Sequence, residues 1–600
     1  MAGSASNNWH DFCILQGMSL FEGLNIATRG LAAAQMGINV SGQNMVNANV
    51  EGYSRKRIEQ NADWRKDAAY GQMGFGVEVY AVNRIRDQFI DRLVNEELTR
   101  YGYFSVKDAA YNRIESIFHE PDDAALNSLM NKFWNSWSDL ANNPDKAGAR
   151  ETLRSTAETM VGQFQYVMTQ MRSYQNTIND EIEARINKIN ELTTSIDHCN
   201  RVVTGSEGPR KSNANDTRDQ RDKLLEELAQ LINIDYYEDE LGAVIVSTSG
   251  NMLVSAAKNH EILMRHVAYD SDDGYQHSRI EATWALTGKE FVPTAGEMKA
   301  LMDIRDIEIP KYQDYINSLA RTMITEVNKI HQNAYALTGM TFIDFFDPDP
   351  NKFNASKIAI SAAVKTNINN IAAAAGGQKV SSPTIDVLPN GVDPIIIGPL
   401  TPTPPSSATQ LLDLTTFAED YRYISKNTLE ISYTDPISGK TMQLHEGKDY
   451  DIDWNTAQIT FKYSAVDNAF SDPTGLQVSI KFDYHESGFG GPADGDAALL
   501  ISQLRDKALM QSDVLGKTTQ TMGQFYAGAL GRLGVERNEA AAGLDTRTYA
   551  LQQLKNRQDE VMGVAIDEEM AIMMKYEYTY QASARYFSTI NSMLDTLLNM

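Results

Sequence analysis

Residues 18–55 read MSLFEGLNIATRGLAAAQMGINVSGQNMVNANVEGYSR. Scored in heptads, one row holds Leu24, Leu31, Ile38 and Met45, and a second holds Leu20, Ala27, Ala34, Ser41 and Ala48. A constant step of seven is the seam of a coiled coil. The second row is small, so it lets another helix come close. The remaining surface is Asn, Gln and Gly rather than Lys–Glu pairs, which leaves the helix little reason to be stable alone. Asn and Gly in NANVEGYSR predict a helix that ends in a turn, with Tyr53 offering an aromatic face after it.

The far end repeats the pattern. In residues 561–600 one row is Ile566, Met573, Tyr580, Phe587 and Leu594, and a second is Tyr576, Ser583, Ile590 and Leu597. Asp567, Glu568 and Glu569 occupy the first turn, where the helix dipole favours anions. Two arrangements fit these rows. The bulky C-terminal row pairs with the small N-terminal one, or each helix packs separately on a larger core.

Composition narrows the function classes. The chain has 600 residues with 54 Lys plus Arg and 79 Asp plus Glu, a net charge of −25. Such a surface repels phosphate backbones and argues against nucleic acid and anionic membranes as main partners. Mean hydropathy is −0.39, no run of 18 apolar residues occurs, and residues 1–17 hold no Lys or Arg to make a secretory n-region. Only Cys13 and Cys199 are present, which excludes a disulfide scaffold and Cys-rich metal sites.

Both ends also carry a resemblance. NMVNANVEGYSR (44–55), with Asn47, Asn49, Gly52 and Tyr53 as its recognisable positions, is similar to the signature of bacterial flagellar rod, hook and hook-associated axial proteins. DEEM at 567–570, Tyr576, YQASAR at 580–585 and MLDTLL at 593–598 resemble the closing helix of that family. Internal segments resemble its hook-associated members: Gly74–Val77 with VNRIRDQFIDRLVNEE (82–97), ANDTRDQRDKLLEELAQLINI (214–234), residues 294–334, Gly339 with Phe345-Phe346, and Gly495-Asp496.

Between the ends the chain reads as mainly α with inserted β. Its expected parts are an N-terminal extension (1–17), an axial coiled-coil assembly domain (18–60 and 561–600), and a helical shaft (61–235, 294–345 and 495–560). A small β-rich domain (236–293), a Pro-rich linker (377–408) and an inserted antiparallel β domain (409–488) complete it. Apolar steps of three and four from about Lys146 to Val203 predict a helix of roughly 80–90 Å. GSEGPRK (205–211) is expected to interrupt it, DQRDKLLEEL to form a charged solvated face, and seven prolines to forbid regular structure in the linker.

No catalytic or cofactor pattern emerges. None of the nine histidines is spaced i, i+3 or i, i+4 from another, and His198-Cys199 point apart on a helix. No nucleophile elbow or P-loop occurs. Asp347-Pro-Asp349-Pro-Asn351 imitates a calcium loop, but Lys352 and Ile358 stand where Gly and Glu are needed. The chain is therefore expected to be structural, without metal or cofactor. A hook or rod subunit, or a wall hydrolase carried on axial termini, are the alternatives. The resemblance implies self-assembly, expected through the residues of the four heptad rows other than Ser41, Ala48 and Ser583, together with Asn47, Asn49, Gly52 and Tyr53. It also implies the hook protein and hook-associated protein 3 as neighbours, an export chaperone on the C-terminal helix, and export through the flagellar channel without a cleaved signal.

Overall fold

The computed structural model describes residues 6–67, 71–118, 125–210, 213–255, 258–270, 276–375, 493–512 and 518–599, and within 376–492 only the segments named below and the adjoining Leu444. Helix α1 (Ser6–Val46) enters a hairpin of β1 (Lys56–Asp67) and β2 (Gly71–Arg84). Helices α2 (Gln88–Phe118), α3 (Leu126–Asn142), α4 (Ala147–Arg210) and α5 (Asn215–Leu231) follow. Strands β3 (Asp235–Glu238), β4 (Val244–Thr248) and β5 (Asn251–Val254) form one antiparallel sheet, and β6 (Ile262–Asp270) pairs with β7 (Gln276–Trp284). Helix α6 (Gly296–Asp303) passes through one π turn into α7 (Ile309–His331). The short β8 (Tyr335–Ala336), α8 (Ala362–Thr366) and β9 (Ala372–Ala374) lead to the insertion.

The insertion is antiparallel in every described pairing. Its strands are β10 (Lys379–Ser381), β11 (Ile385–Val387), β12 (Thr409–Asp413), β13 (Glu430–Thr434), β14 (Thr441–Gln443), β15 (Tyr450–Asp453), β16 (Gln458–Lys462), β17 (Val478–Lys481) and β18 (Asp483–His485). Their orders are β11-β17-β13-β14, β12-β16-β15 and β10-β18. Two of these strands, β10 and β11, lie inside the segment expected to be an irregular linker. They avoid its prolines, and residues 388–408 lie outside the described residues. The chain returns through α9 (Asp496–Ser502), a hairpin of β19 (Met510–Ser512) and β20 (Thr518–Gln520), then α10 (Met522–Met562) and α11 (Ile566–Leu598). That hairpin corrects the expectation of unbroken helix over 496–560.

Helix α4 is the spine. Its 64 residues span about 96 Å. One face buries Leu153, Met160, Phe164, Met171, Ile178, Ile182, Ile186, Ile189, Leu192, Ile196 and Val203. The helix runs through Gly205, where a break was expected. A mid-helix Gly costs about 1 kcal/mol, and the following turn offsets it. Glu207 accepts from the Ala214 N–H (2.9 Å) and from Arg218 Nε and Nη2 (both 2.8 Å), lashing the end of α4 to the start of α5. The alternation of Val77, Val79 and Ala81 marks a short strand before a helix, and it lies in β2; strand β1 is the second correction, to a shaft drawn as helical from residue 61. KRIEQNADWRKD holds one buried apolar residue, Ile58, among those whose burial is described, so it carries no period-two signal.

Helix asparagines grip the non-helical segments. Asn190 accepts from the Ile262 N–H and donates to its C=O, both at 2.9 Å. Asn200 does the same to Val244 (2.9 and 2.8 Å), and Asn328 to Phe346 (2.8 and 2.9 Å). Each side chain thus copies one rung of a β ladder and docks a strand or loop onto a helix.

An aromatic cluster of Phe133, Trp137, Phe345 and Phe346 surrounds His331, with Phe345 and Phe346 ring centroids 5.0 Å apart and Trp137 and Phe345 5.1 Å apart. His331 is fully buried. Its Nδ1–H donates to the Ile343 carbonyl at 2.5 Å and its Nε2 accepts from the Ala372 N–H at 2.8 Å. Burial, against the bond to the Ile343 carbonyl and with Arg150 nearby, pulls its pKa down to about 4. The unfolded histidine therefore binds a proton at a higher pH than the folded one. Stability is full above pH 6.5 and falls as the pH drops toward 4. Between pH 7 and 4.5 this site is expected to cost about 2 kcal/mol. His331→Gln should flatten that part of the pH–stability curve, measured by denaturant unfolding at both pH values. Equal slopes for the two proteins would contradict it.

Candidate assembly interface

Helices α1 and α11 lie antiparallel against each other, and the seam follows from the smallest residues. A Cβ added to Gly23 would sit 2.7 Å from Ile590 Cδ1, one on Gly30 2.8 Å from Ser583 Oγ, and one on Gly37 2.6 Å from Tyr576 ring atoms. Each step of seven up α1 is met by a step of seven down α11. Ala27, Ala34, Ser41 and Asn44 are buried between and beyond the glycines, giving the alternating spacing 23-27-30-34-37-41-44. The close backbone approach is possible because no side chain larger than Asn lies on this stripe.

Of the predicted N-terminal rows, Ala27, Ala34 and Ser41 lie in this seam. Leu24, Leu31, Ile38 and Met45 are half-buried, and Ala48 falls in the turn after α1. The glycines were missed because a residue without a side chain adds nothing to a hydrophobic pattern; their own step of seven was the available signal. On α11, Tyr576 and Ile590 face α1, while Met573, Phe587 and Leu594 are half-buried. Ile566 and Tyr580 are exposed. The side chains of Leu20 and Leu597 lie outside the described residues.

The root of the coil is built on Asn44. Its Nδ2 donates to the Lys56 carbonyl (2.9 Å) and to Glu569 Oε2 (3.1 Å). Its Oδ1 accepts from the Lys56 N–H (3.0 Å) and the Tyr53 hydroxyl (2.9 Å). Two donors and two acceptors are the full capacity of the amide. Gly52 supplies the left-handed turn (φ +82°) that brings Tyr53 back. Burial, with Asp216 close by, pushes the Tyr53 pKa up to about 12, so the hydroxyl stays a donor. Arg55 then spans the joint. Its N–H donates to the Met562 carbonyl (2.9 Å), and its guanidinium meets Glu569 (2.7 Å) and Glu568 (3.1 Å) in the first turn of α11. Asn47 Nδ2 donates to the Gln43 carbonyl (3.0 Å) and its own carbonyl accepts from the Val50 N–H (2.9 Å), while Asn49 is exposed.

A charged cluster continues into the shaft. Asp219 accepts from Ser54 N and Oγ (3.1 and 2.7 Å) and from Arg84 (3.0 Å). Asp222 takes Arg84 (2.6 Å), and Arg86 reaches Asp91 (2.7 Å) and Asp222 (3.3 Å). Gln558 of α10 closes the cluster on Asp91 (2.8 Å). Arg221 is fully buried and donates to Asn200 Oδ1 (3.1 Å) and the Gly242 carbonyl (2.6 Å). This corrects the solvated reading of DQRDKLLEEL. Three of its first four residues point inward, because Asp219, Arg221 and Asp222 join α5 to the hairpin, α2 and α4. A polar cavity of about 590 Å³ lies beside them.

The outer side of α11 has no partner within the chain among the described residues. Ile566, Met570, Met574 and Tyr578 follow at steps of four, all exposed, and Tyr586 and Met593 extend the apolar surface. Exposed rows of this kind mark sites of association. Helix α1 complements them with a nearly uncharged surface, since Glu22 and Arg29 are its only charged residues between 18 and 46.

Residues 111–346 match the family model for the flagellar hook-associated protein FlgK helical domain, and residues 558–600 match the one for the flagellar basal body rod FlgEFG protein C-terminal region. Over nearly its full length the chain is similar to flagellar hook-associated proteins. Flagellar hook-associated protein 1 of Bacillus subtilis is 23% identical over 611 residues, covering 97% of this chain and 98% of the relative. The Salmonella typhimurium protein of the same name is 24% identical over 592 residues, covering 96% and 99%. The solved structure of the flagellar hook junction protein FlgK from Burkholderia pseudomallei shares the fold, with a TM-score of 0.53 and 16% identity over 78% of this chain and all of that one. These matches support a structural role in the bacterial flagellum.

Proposed function

We propose that the chain is the subunit that joins hook to filament, and that it assembles through α1 and α11. The observation that carries this reading is the exposed apolar row Ile566–Met570–Met574–Tyr578 on a helix whose other face is already occupied by α1. Neighbouring copies supply the burial that one chain cannot. The two terminal helices are poorly ordered in the free monomer and fold together on assembly, because an Asn-, Gln- and Gly-rich helix is marginal alone. The interface comprises the predicted rows together with Asn47, Asn49, Gly52 and Tyr53. The shaft and both β-rich parts face outward.

The proposed neighbours are the hook protein on one side and hook-associated protein 3 on the other. An export chaperone covers α11 before secretion, since its apolar row is a liability in the cytoplasm. The chain leaves unfolded through the flagellar channel, a route that suits a protein with two cysteines. Deleting residues 561–600 is expected to leave a folded shaft, read by circular dichroism and thermal melting, that no longer assembles at hook tips. Assembly unchanged by the deletion would refute this mechanism.

A further inference from the structure

We infer that the Asn44–Glu569 pair sets the register of the α1–α11 coil. This rests on the reading of those helices as the assembly module and adds what aligns them. The seam itself cannot do so. Gly23, Gly30 and Gly37 repeat every seven residues, and so do Tyr576, Ser583 and Ile590 opposite them. Sliding one helix by a heptad would again place a glycine opposite each of two of these residues, and close packing would be kept. Repeats of this kind specify direction and face but not alignment, and one polar pair within a seam is the known way to break the degeneracy.

Asn44 and Glu569 stand one heptad beyond Gly37 and Tyr576, at the next facing position of the same two rows. Glu569 is 2% exposed, and its two oxygens are taken by Asn44 Nδ2 (3.1 Å) and Arg55 Nε (2.7 Å). A slip one way places Glu569 against Gly37 and strips the buried carboxylate of its amide donor. A slip the other way places Asn44 against Tyr576, at a level where even a glycine Cβ lacks room. One pair therefore blocks both neighbouring registers, the first through an unpaired buried charge and the second through a clash. Asn44 is itself held by Lys56 and Tyr53, so the pin is fixed to the hairpin and turn rather than to α1 alone.

The test uses the full chain with Cys13→Ser and Cys199→Ser. Gly30→Cys is combined in turn with Ser583→Cys, Tyr576→Cys or Ile590→Cys. The ideal Cβ at position 30 lies 3.5 Å from Ser583 Cβ, within disulfide range. The other two pairs report a slip of one heptad in either direction. Equilibrium with glutathione under assembling conditions, where the terminal helices are paired, gives each pair an effective concentration, and isotope-mixed samples separate bonds within a chain from bonds between chains. The 30–583 bond is expected to exceed both slipped bonds by about tenfold or more, and Asn44→Ala with Glu569→Ala should shrink that excess to about threefold or less. Glu569→Gln, which keeps the acceptor, should retain the excess. An excess unchanged in the double alanine variant, or absent in the parent, would overturn the inference. Assembly of the same proteins is measured separately. A shifted register in protein that still assembles supports the pin, whereas an unchanged register with assembly lost tells against it alone.

Discussion

Gly37→Leu abolishes assembly while the shaft melts as before; this is the expected result of placing a side chain where the Tyr576 ring of α11 leaves no room. The Cβ alone would stand 2.6–2.7 Å from three atoms of the Tyr576 ring, Cγ and both Cδ, at the end of the ring nearest the helix backbone. Overpacking of this kind costs roughly 1–3 kcal/mol and more when neighbours cannot give way. A loss of 2 kcal/mol per subunit raises the concentration needed for assembly on the order of thirtyfold. The sign is diagnostic, because glycine in an open helix position does the opposite. Gly531 and Gly534 in α10 have no atom within 4 Å of an added Cβ, so alanine there should stabilise by about 0.5–1 kcal/mol. Gly37→Ala should destabilise instead, and Tyr576→Ala should restore part of the loss in a double-mutant cycle. Sedimentation of assembled protein and thermal melting of the monomer separate the two effects. Normal assembly of Gly37→Leu would contradict the close antiparallel seam.

Asp219→Ala should be the most damaging single change at the joint. The carboxylate is 8% exposed and receives Ser54 twice as well as Arg84. Its removal leaves the Ser54 N–H and hydroxyl unmatched and takes one acid from two half-neutralised guanidiniums. Breaking a buried, hydrogen-bonded charge cluster costs about 3–5 kcal/mol. Glu51, in the turn after α1, is the control. It pairs with Lys223 of α5 at 3.0 Å and both side chains are exposed (81% and 43%), so Glu51→Ala should cost under about 1 kcal/mol. Denaturant unfolding of both variants at pH 7 checks the contrast. Equal effects would mean that the cluster is surface decoration.

Much of this architecture was legible in the residues themselves. The step of seven at both ends, the three-and-four spacing along α4 and the left-handed turn at Gly52 all reflect backbone periodicity, which sequence displays directly. What was hidden shares one cause: it depends on which neighbour a residue meets. Asp219, Arg221 and Asp222 look solvated until β2, α2 and α4 converge on them. Asn190, Asn200 and Asn328 look neutral in a helix until a strand lies alongside. Strand β1 shows no alternation because its order comes from pairing with β2, and β10 and β11 survive among prolines because their partners β18 and β17 lie some 90 residues or more downstream. The exposure of Ile566 and Tyr580, by contrast, is what the proposed assembly requires of a heptad row whose second partner is another molecule.

Hydrogen exchange on the free and assembled protein bears most directly on assembly through the terminal helices. Amides of 20–46 and 566–598 should exchange nearly unprotected in the monomer, while α4 around Ile178–Ile196 stays protected. On assembly at hook tips both terminal segments should gain protection together, because each is the other's partner and neither is stable alone. Strong protection of α1 and α11 already in the free monomer, unchanged on assembly, would show that the two helices are finished structure and would contradict the mechanism.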